Sequence, residues 1–159
     1  MYGDVTRKNV LKSLFTDGTC AMVLYRLMQW CHGHRLALPA MVFNKMNVLF
    51  SRCVIGRGAT FGPRFVLIHS LGVVINSDVV GGSEIKLEHG VTIGAEKGKA
   101  PRLGNSVFAG AGAKILGDIT IGDNVKIGAN AVVVSDLPPN CTAVGIPAKP
   151  VAHSSDSEG

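Results

Sequence analysis

One period dominates this sequence: between Ile55 and Pro138 an apolar residue returns at every sixth position, with one exception at Lys97. The spacing matches neither the 3.6-residue period of an α-helix nor the simple alternation of a half-buried strand. A period of six with frequent glycines is typical of a parallel β-helix made of hexapeptide repeats. The residues at the repeating position are Ile55, Phe61, Leu67, Val73, Val79, Ile85, Val91, Leu103, Ala109, Ile115, Ile121, Ile127 and Val133.

The hexads predict a mainly β fold. Each hexad supplies one short strand with an inward apolar side chain, and three hexads close a triangular coil of about eighteen residues. Coils stack at about 4.8 Å, so the apolar positions form a continuous core that no single repeat buries alone. About fourteen hexads predict four to five coils. A constant coil length implies that residues eighteen positions apart lie on the same wall of the prism.

The exception at Lys97 predicts a loop. The segment from Ala95 to Arg102 is polar and contains Gly98 and Pro101. We expect it to leave the prism, and an interruption of this kind in a regular repeat is a common place for function.

Two short α-helices are predicted before the repeat. Thr16-Asp17-Gly18 can cap a helix that ends near His32, and Pro39 can begin a second helix that ends near Phe50. Both are apolar but shorter than a membrane span. We expect them to cap the open end of the prism or to contact neighbouring subunits, because solenoid ends usually need caps. Association with a membrane surface is the alternative, since the helices also carry basic residues.

The predicted organisation therefore has four parts. Residues 1–52 form the helical segment and residues 53–138 the β-helix. Residues 139–152 form an extended segment kept straight by Pro147 and Pro150, because proline restricts the backbone. Residues 153–159 are Ser-rich and acidic, and we expect them to be disordered.

The composition argues against several classes of function. The formal net charge is +5, and the Lys and Arg residues are dispersed without interleaved aromatic residues, which argues against nucleic-acid binding. A basic surface suits a phosphorylated cofactor instead. The four cysteines show no CxxC spacing and no secretory signal peptide precedes them, so we expect reduced thiols in a cytoplasmic protein and no cysteine-bound metal.

Four segments between about Val54 and Val151 are distinctive: IHSLGVVI (68–75), HGVTIG (89–94), AGAGAKILGDITIGDNVKIGANAVV (109–133) and DLPPNCTAVGIPAKPV (136–151). Through these segments the chain resembles the serine acetyltransferase branch of the hexapeptide-repeat acyltransferases. The resemblance implies a left-handed β-helix, a homotrimer, acetyl-CoA as the donor and an active site between neighbouring prisms.

The resemblance places His69 at the position of the family's general base. A neutral hydroxyl is a poor nucleophile, so an imidazole must accept its proton during attack on the thioester. His69 occupies an outward position in its hexad, and an ordinary surface histidine is the alternative interpretation. His89 follows twenty residues later, and we expect it near His69. It would orient the substrate or form structural hydrogen bonds.

The donor site is predicted from small and basic residues. Ala111 and Ala129 lie eighteen residues apart, which predicts one column on a wall below Ile93 and Ile75. Two stacked alanines leave a groove for a pantetheine arm, and both match positions where the family contacts coenzyme A.

Further donor residues follow from the resemblance. Lys126 and Lys149 match family positions near the nucleotide end of the coenzyme, where an ammonium group would meet phosphate charge. Gly94 is a further cofactor-binding candidate. Lys97 and Lys99 in the loop are additional candidates. Any one of these lysines alone is more often a solvated charge.

Two departures from the family bear on the acceptor. Ala100 stands where serine acetyltransferases carry a second histidine, and Ile68 stands where they carry an aspartate. Glu88, and less directly Glu84, could replace the missing carboxylate, although an ion pair on a solvated face explains both. These losses favour a sugar hydroxyl as the acceptor, with L-serine as the alternative.

Two other classes of function fit the sequence less well. A metal-dependent carbonic anhydrase on the same scaffold needs three converging histidines, and Ala100 removes an obvious third. A non-catalytic scaffold would not explain the alanine column or the GIPAK segment. The preferred hypothesis is an acetyl-CoA-dependent O-acetyltransferase that needs no metal.

Overall fold

The computed structural model describes residues 17–151, which form two helices followed by fifteen short strands. Helix α1 spans Asp17–Gly33 and helix α2 spans Ala37–Ser51. The strands are β1 (Val54–Ile55), β2 (Thr60–Phe61), β3 (Val66–Leu67), β4 (Val74–Ile75), β5 (Val80–Gly81), β6 (Lys86–Leu87), β7 (Thr92–Gly94), β8 (Arg102–Leu103), β9 (Phe108–Ala109), β10 (Lys114–Leu116), β11 (Thr120–Ile121), β12 (Lys126–Ile127), β13 (Val132–Val133), β14 (Thr142–Gly145) and β15 (Ala148–Val151).

From β1 to β13 consecutive strands belong to different sheets, and each strand pairs in parallel with the strand three positions along the chain. Sheet A has the order β1-β4-β7-β10-β13, sheet B has β2-β5-β8-β11, and sheet C has β3-β6-β9-β12-β14-β15. The chain therefore passes from sheet A to B to C and back to A about four times. The predicted β-helix with two preceding helices is confirmed.

The coils do not have a constant length, so the predicted grouping of residues by wall is wrong. Ile55 pairs with Ile75 rather than with Val73, and Ile93 pairs with Ile115. The first coil contains two extra residues in the turn after Leu67, and the loop at 95–101 adds four more.

The reason for this error lies in the hexad itself. Each hexad buries two side chains that are two residues apart, as Val73 and Ile75 illustrate. A count in steps of six can therefore change from one buried position to the other, and the apolar pattern shows no break.

The helices cover the first coil. Tyr25 of α1 is fully buried, its hydroxyl donates to the Ala59 carbonyl oxygen at 3.0 Å, and its ring meets Phe65 edge to face at 5.6 Å. The Asn44 side chain of α2 donates to the Ile55 carbonyl oxygen at 2.6 Å. These contacts satisfy backbone groups that the end of a solenoid would otherwise expose. Between residues 17 and 151, no helix has the length and apolar character needed to cross a bilayer.

The other end of the prism is closed by a hairpin that the sequence did not predict. Strand β14 pairs in parallel with β12, and β15 then returns antiparallel to β14 after a turn at the cis Ile146–Pro147 bond. The expectation of a straight segment is wrong, because the proline stands in the turn and allows the reversal. The tail at 153–159 and the predicted cap residue Thr16 lie outside the described residues.

In the core of the prism, a large and a small residue, Phe61 and Gly81, occupy paired inward positions of sheet B. Gly81 occupies an inward position where other coils carry Ile or Leu, and the Phe61 ring fills the space beside it. A Cβ atom at Gly81 would lie 2.4 Å from Phe61 Cδ1 and 2.7 Å from Ile85 Cδ1.

We expect Gly81→Ala to lower the free energy of unfolding by about 1–3 kcal/mol, because the added methyl group overpacks the core. Denaturant unfolding at matched protein concentration measures the change. Gly33→Ala is the control, since its added Cβ has no heavy atom within 4 Å apart from its chain neighbours and the backbone of its own helix. Equal unfolding midpoints for the two variants would contradict this account of the core.

Candidate active site

The candidate site lies at the corner where the chain turns from sheet C into sheet A. Gly90 N donates to Leu71 O, Gly112 N to His89 O and Asn130 N to Ala111 O, each at 2.8 Å. These bonds align equivalent turn positions of successive coils. The resulting line, called here the corner column, consists of Leu71, His89, Ala111 and Ala129.

His69 lies in the two-residue insertion beside the top of the corner column. Its ring stands 6.2 Å from the His89 ring, centroid to centroid, at an angle of 64°. Ser70 fixes the insertion, because its buried hydroxyl donates to the Ser51 carbonyl oxygen at 2.9 Å. With Ser70 turned inward, the exposed His69 lies outside the core. The two predicted histidines therefore are neighbours.

The structure corrects the predicted place of the alanines. Ala111 and Ala129 do stack, but they stack below His89 and not below Ile93 and Ile75, whose side chains are buried in the ladder of sheet A. The error follows from the constant coil length assumed above. His89 and the alanines consequently share one line, with His69 beside its top, and this line joins the predicted catalytic end to the predicted donor groove.

The carboxylates near the site have distinct partners. Glu88 Oε2 lies 3.9 Å from His89 Nδ1. Glu84 lies at the corner between sheets B and C, where it accepts hydrogen bonds from Ser106 and Arg64. These bonds, that of Ser106 first, hold the pKa of Glu84 below its usual range. Glu84 is therefore engaged elsewhere and does not serve the histidines.

The basic candidates lie at different distances from the corner column. Lys149 pairs across the hairpin with Val144, whose side chain covers Gly128 beside Ala129, so it marks the lower end of the column. Lys126 is exposed on the outer face of sheet C, at the start of the strand that leads to Ala129.

The remaining candidates are not at this corner. Gly94 ends β7, so the length of that strand separates it from His89, and it is followed by the loop at 95–101. Within the loop the Lys99 ammonium binds Asp118 Oδ2 at 2.6 Å, which holds the pKa of Lys99 above its usual range. Lys97 is exposed in the turn of the same loop.

Lys114 is a residue of the site that sequence reasoning missed. From β10 its ammonium donates to the Gly90 carbonyl oxygen at 2.7 Å and to Thr92 Oγ1 at 3.1 Å. It therefore ties the turn that carries His89 to the next coil. The available signal was a lysine at an outward position inside the AGAGAKILG segment, directly after the predicted Ala111 contact.

Comparison with known proteins decides the family. The model of the bacterial transferase hexapeptide (six repeats) matches residues 100–135. The serine acetyltransferase of Helicobacter pylori is 43% identical over 142 residues, which cover 87% of this chain and 83% of that protein. The chain belongs to the serine acetyltransferase family. As a family member it is an acyltransferase, and the identification from sequence is confirmed.

Solved structures of serine acetyltransferases share the fold. The Neisseria gonorrhoeae enzyme in complex with serine superposes with a TM-score of 0.85 at 36% identity, covering 93% of this chain and 62% of that one. The Brucella abortus enzyme in complex with coenzyme A gives a TM-score of 0.82 at 30% identity, covering 86% and 56%. This chain therefore spans about three fifths of the length of these larger enzymes.

The preference for a sugar acceptor is wrong. Relatives with 35–43% identity over most of this chain are serine acetyltransferases, so the similarity supports the alternative that the sequence analysis ranked second. The error came from weighing two local losses, at Ala100 and Ile68, above the whole-chain pattern. His89 and Glu88 supply polar groups at the corner. The site therefore keeps polar side chains despite the changes at Ala100 and Ile68.

Within residues 17–151 no group of three or more His, Cys, Asp or Glu side chains is arranged to hold a metal ion.

We expect Lys114→Met to lower the free energy of unfolding by about 1–3 kcal/mol, because it leaves the half-buried Gly90 carbonyl without its charged donor. Thermal unfolding measures the loss. Lys86→Met is the matched control, since Lys86 is an exposed lysine on a strand of sheet C. If both variants melted at the same temperature, Lys114 would not stabilise the His89 turn.

Proposed function

We propose that this chain is a serine O-acetyltransferase that transfers the acetyl group of acetyl-CoA to the hydroxyl of L-serine. The observation that carries the proposal is the corner column, which places His89 directly above two stacked alanines and His69 beside its top. The proposal is also supported by the family, because similar enzymes form complexes with serine and with coenzyme A.

His69 acts as the general base in this proposal. Its imidazole accepts the hydroxyl proton of serine while the serine oxygen attacks the thioester carbonyl carbon. The tetrahedral intermediate then expels the thiolate of coenzyme A, which takes up the proton from the imidazolium. The products are O-acetylserine and the free thiol, and no acyl-enzyme forms.

Coenzyme A lies along the lower half of the corner column. The side chains of Ala111 and Ala129 are small, and they leave room for the pantetheine arm to follow the turns from coil to coil. Lys149 stands at the lower end, where its ammonium would meet phosphate charge. Lys126, farther out on sheet C, is a weaker candidate for the same role.

The assembly we propose is a homotrimer in the cytoplasm. On a single prism the corner column is a shallow surface with His69 and His89 exposed, and a neighbouring prism would supply the opposite wall of the cleft. The helices add exposed apolar side chains, including Trp30, Leu49 and Phe50, that contacts between subunits would cover.

Release of free thiol from acetyl-CoA in the presence of L-serine tests the function. We expect turnover by the unchanged protein and a loss of at least about 100-fold in kcat for His69→Ala, the range contributed by a positioned general base. His32→Ala is the control, because His32 is an exposed histidine at the end of α1.

Two results would contradict the proposal. Absence of thiol release with L-serine would overturn the assigned acceptor. Equal activity of His69→Ala and His32→Ala would overturn the role of His69, provided that both variants retain the thermal stability of the unchanged protein.

A further inference from the structure

We propose that Glu88 and His89 together bind the charged head of the acceptor, with Glu88 accepting from the α-ammonium group and His89 donating to the α-carboxylate. This inference rests on the proposed function and deepens it. According to this inference, Glu88 and His89 select an amino acid over an uncharged alcohol as the acceptor.

The position of the acidic residues supports the proposal. An ammonium group in a partly desolvated cleft needs a carboxylate partner. Of the acidic residues in the prism, residues 54–151, Glu88 alone lies at the corner between sheets C and A. The others lie at the corners between sheets A and B or between sheets B and C, and they are Asp78, Glu84, Glu96, Asp118, Asp123 and Asp136.

The distance between the two side chains supports the proposal further. Glu88 Oε2 and His89 Nδ1 are 3.9 Å apart, which is within the range of an ion pair but longer than a hydrogen bond of about 2.7–3.2 Å. Among residues 17–151 neither side chain makes a hydrogen bond. Both therefore keep their hydrogen-bonding capacity for a third group. Glu88 is only 25% exposed and His89 is 56% exposed, so a ligand at this pair gains contacts that are partly shielded from water.

The shape of serine matches this arrangement. Its ammonium and carboxylate groups sit on one carbon, and the hydroxyl sits on the carbon next to it. With the head held between Glu88 and His89, the hydroxyl points along the column toward His69, whose ring centroid is 6.2 Å from that of His89. The sequence had suggested that Glu88 orients His69. The structure pairs Glu88 with His89 instead, which leaves recognition of the substrate as its role.

Steady-state kinetics with three acceptors test the inference. We expect Glu88→Gln to raise the KM for L-serine by about tenfold or more, the loss of one charged hydrogen bond, and to leave the KM for acetyl-CoA unchanged. For 3-hydroxypropanoate, which lacks the ammonium group, Glu88→Gln should have the same KM as the unchanged protein. His89→Asn should raise the KM for L-serine in the same way but leave the KM for L-serinamide, which lacks the carboxylate, unchanged.

Glu84→Gln is the matched control, because Glu84 is a carboxylate at another corner of the same coil. The unchanged protein should prefer L-serine over 3-hydroxypropanoate by about tenfold or more in kcat/KM. Equal values for these two acceptors would overturn the inference without any variant.

The outcomes separate the two proposals. If Glu88→Gln behaves like Glu84→Gln while the unchanged protein acetylates L-serine, the inference fails and the proposed function stands. If the unchanged protein does not acetylate L-serine, both fail.

Discussion

The backbone hydrogen bonds between successive coils are the interaction on which the rest of this structure depends. Each inner strand of the prism pairs with strands one coil above and one coil below, so the corners are also held one above the other. Residues about twenty positions apart in sequence thereby become neighbours. No single turn contains a site, but the stacked turns do, and His89 and Ala111 meet for this reason.

The same hydrogen bonds determine where the fold accepts extra residues. A strand bonded on both sides cannot lengthen without losing its register, whereas a corner can bulge outward. Both insertions in this chain lie at corners, one at His69 and one in the loop at 95–101. The insertion at His69 lies next to the corner column, and Ser70 anchors it to the end of α2. The irregularity of the repeat is thus what separates His69 from the regular turn.

Much of the fold could be predicted from the sequence, because each six-residue repeat corresponds to one strand of the β-helix. The β-helix, the two helices and the proximity of His69 to His89 all followed from spacing or resemblance. The register did not, because each hexad buries two positions and the count can move between them, as with Val73 and Ile75. The hairpin at the end was missed because Pro147 was interpreted as a straightening residue, although it stands in the turn.

The acceptor was ranked wrongly for a related reason. A missing histidine at Ala100 is visible in the sequence, but the groups that lie at the corner instead are visible only when the coils are stacked. Lys114 is an example, since its hydrogen bond to the Gly90 carbonyl oxygen crosses from one coil to the next.

A crystal structure of this protein with bound coenzyme A tests the central claim most directly. The account predicts that the pantetheine arm follows Ala111 and Ala129 and that the sulfur ends beside His69 and His89. Coenzyme A bound instead on the outer face of sheet C, along Lys86 and Lys126, with the corner column unoccupied, would contradict it.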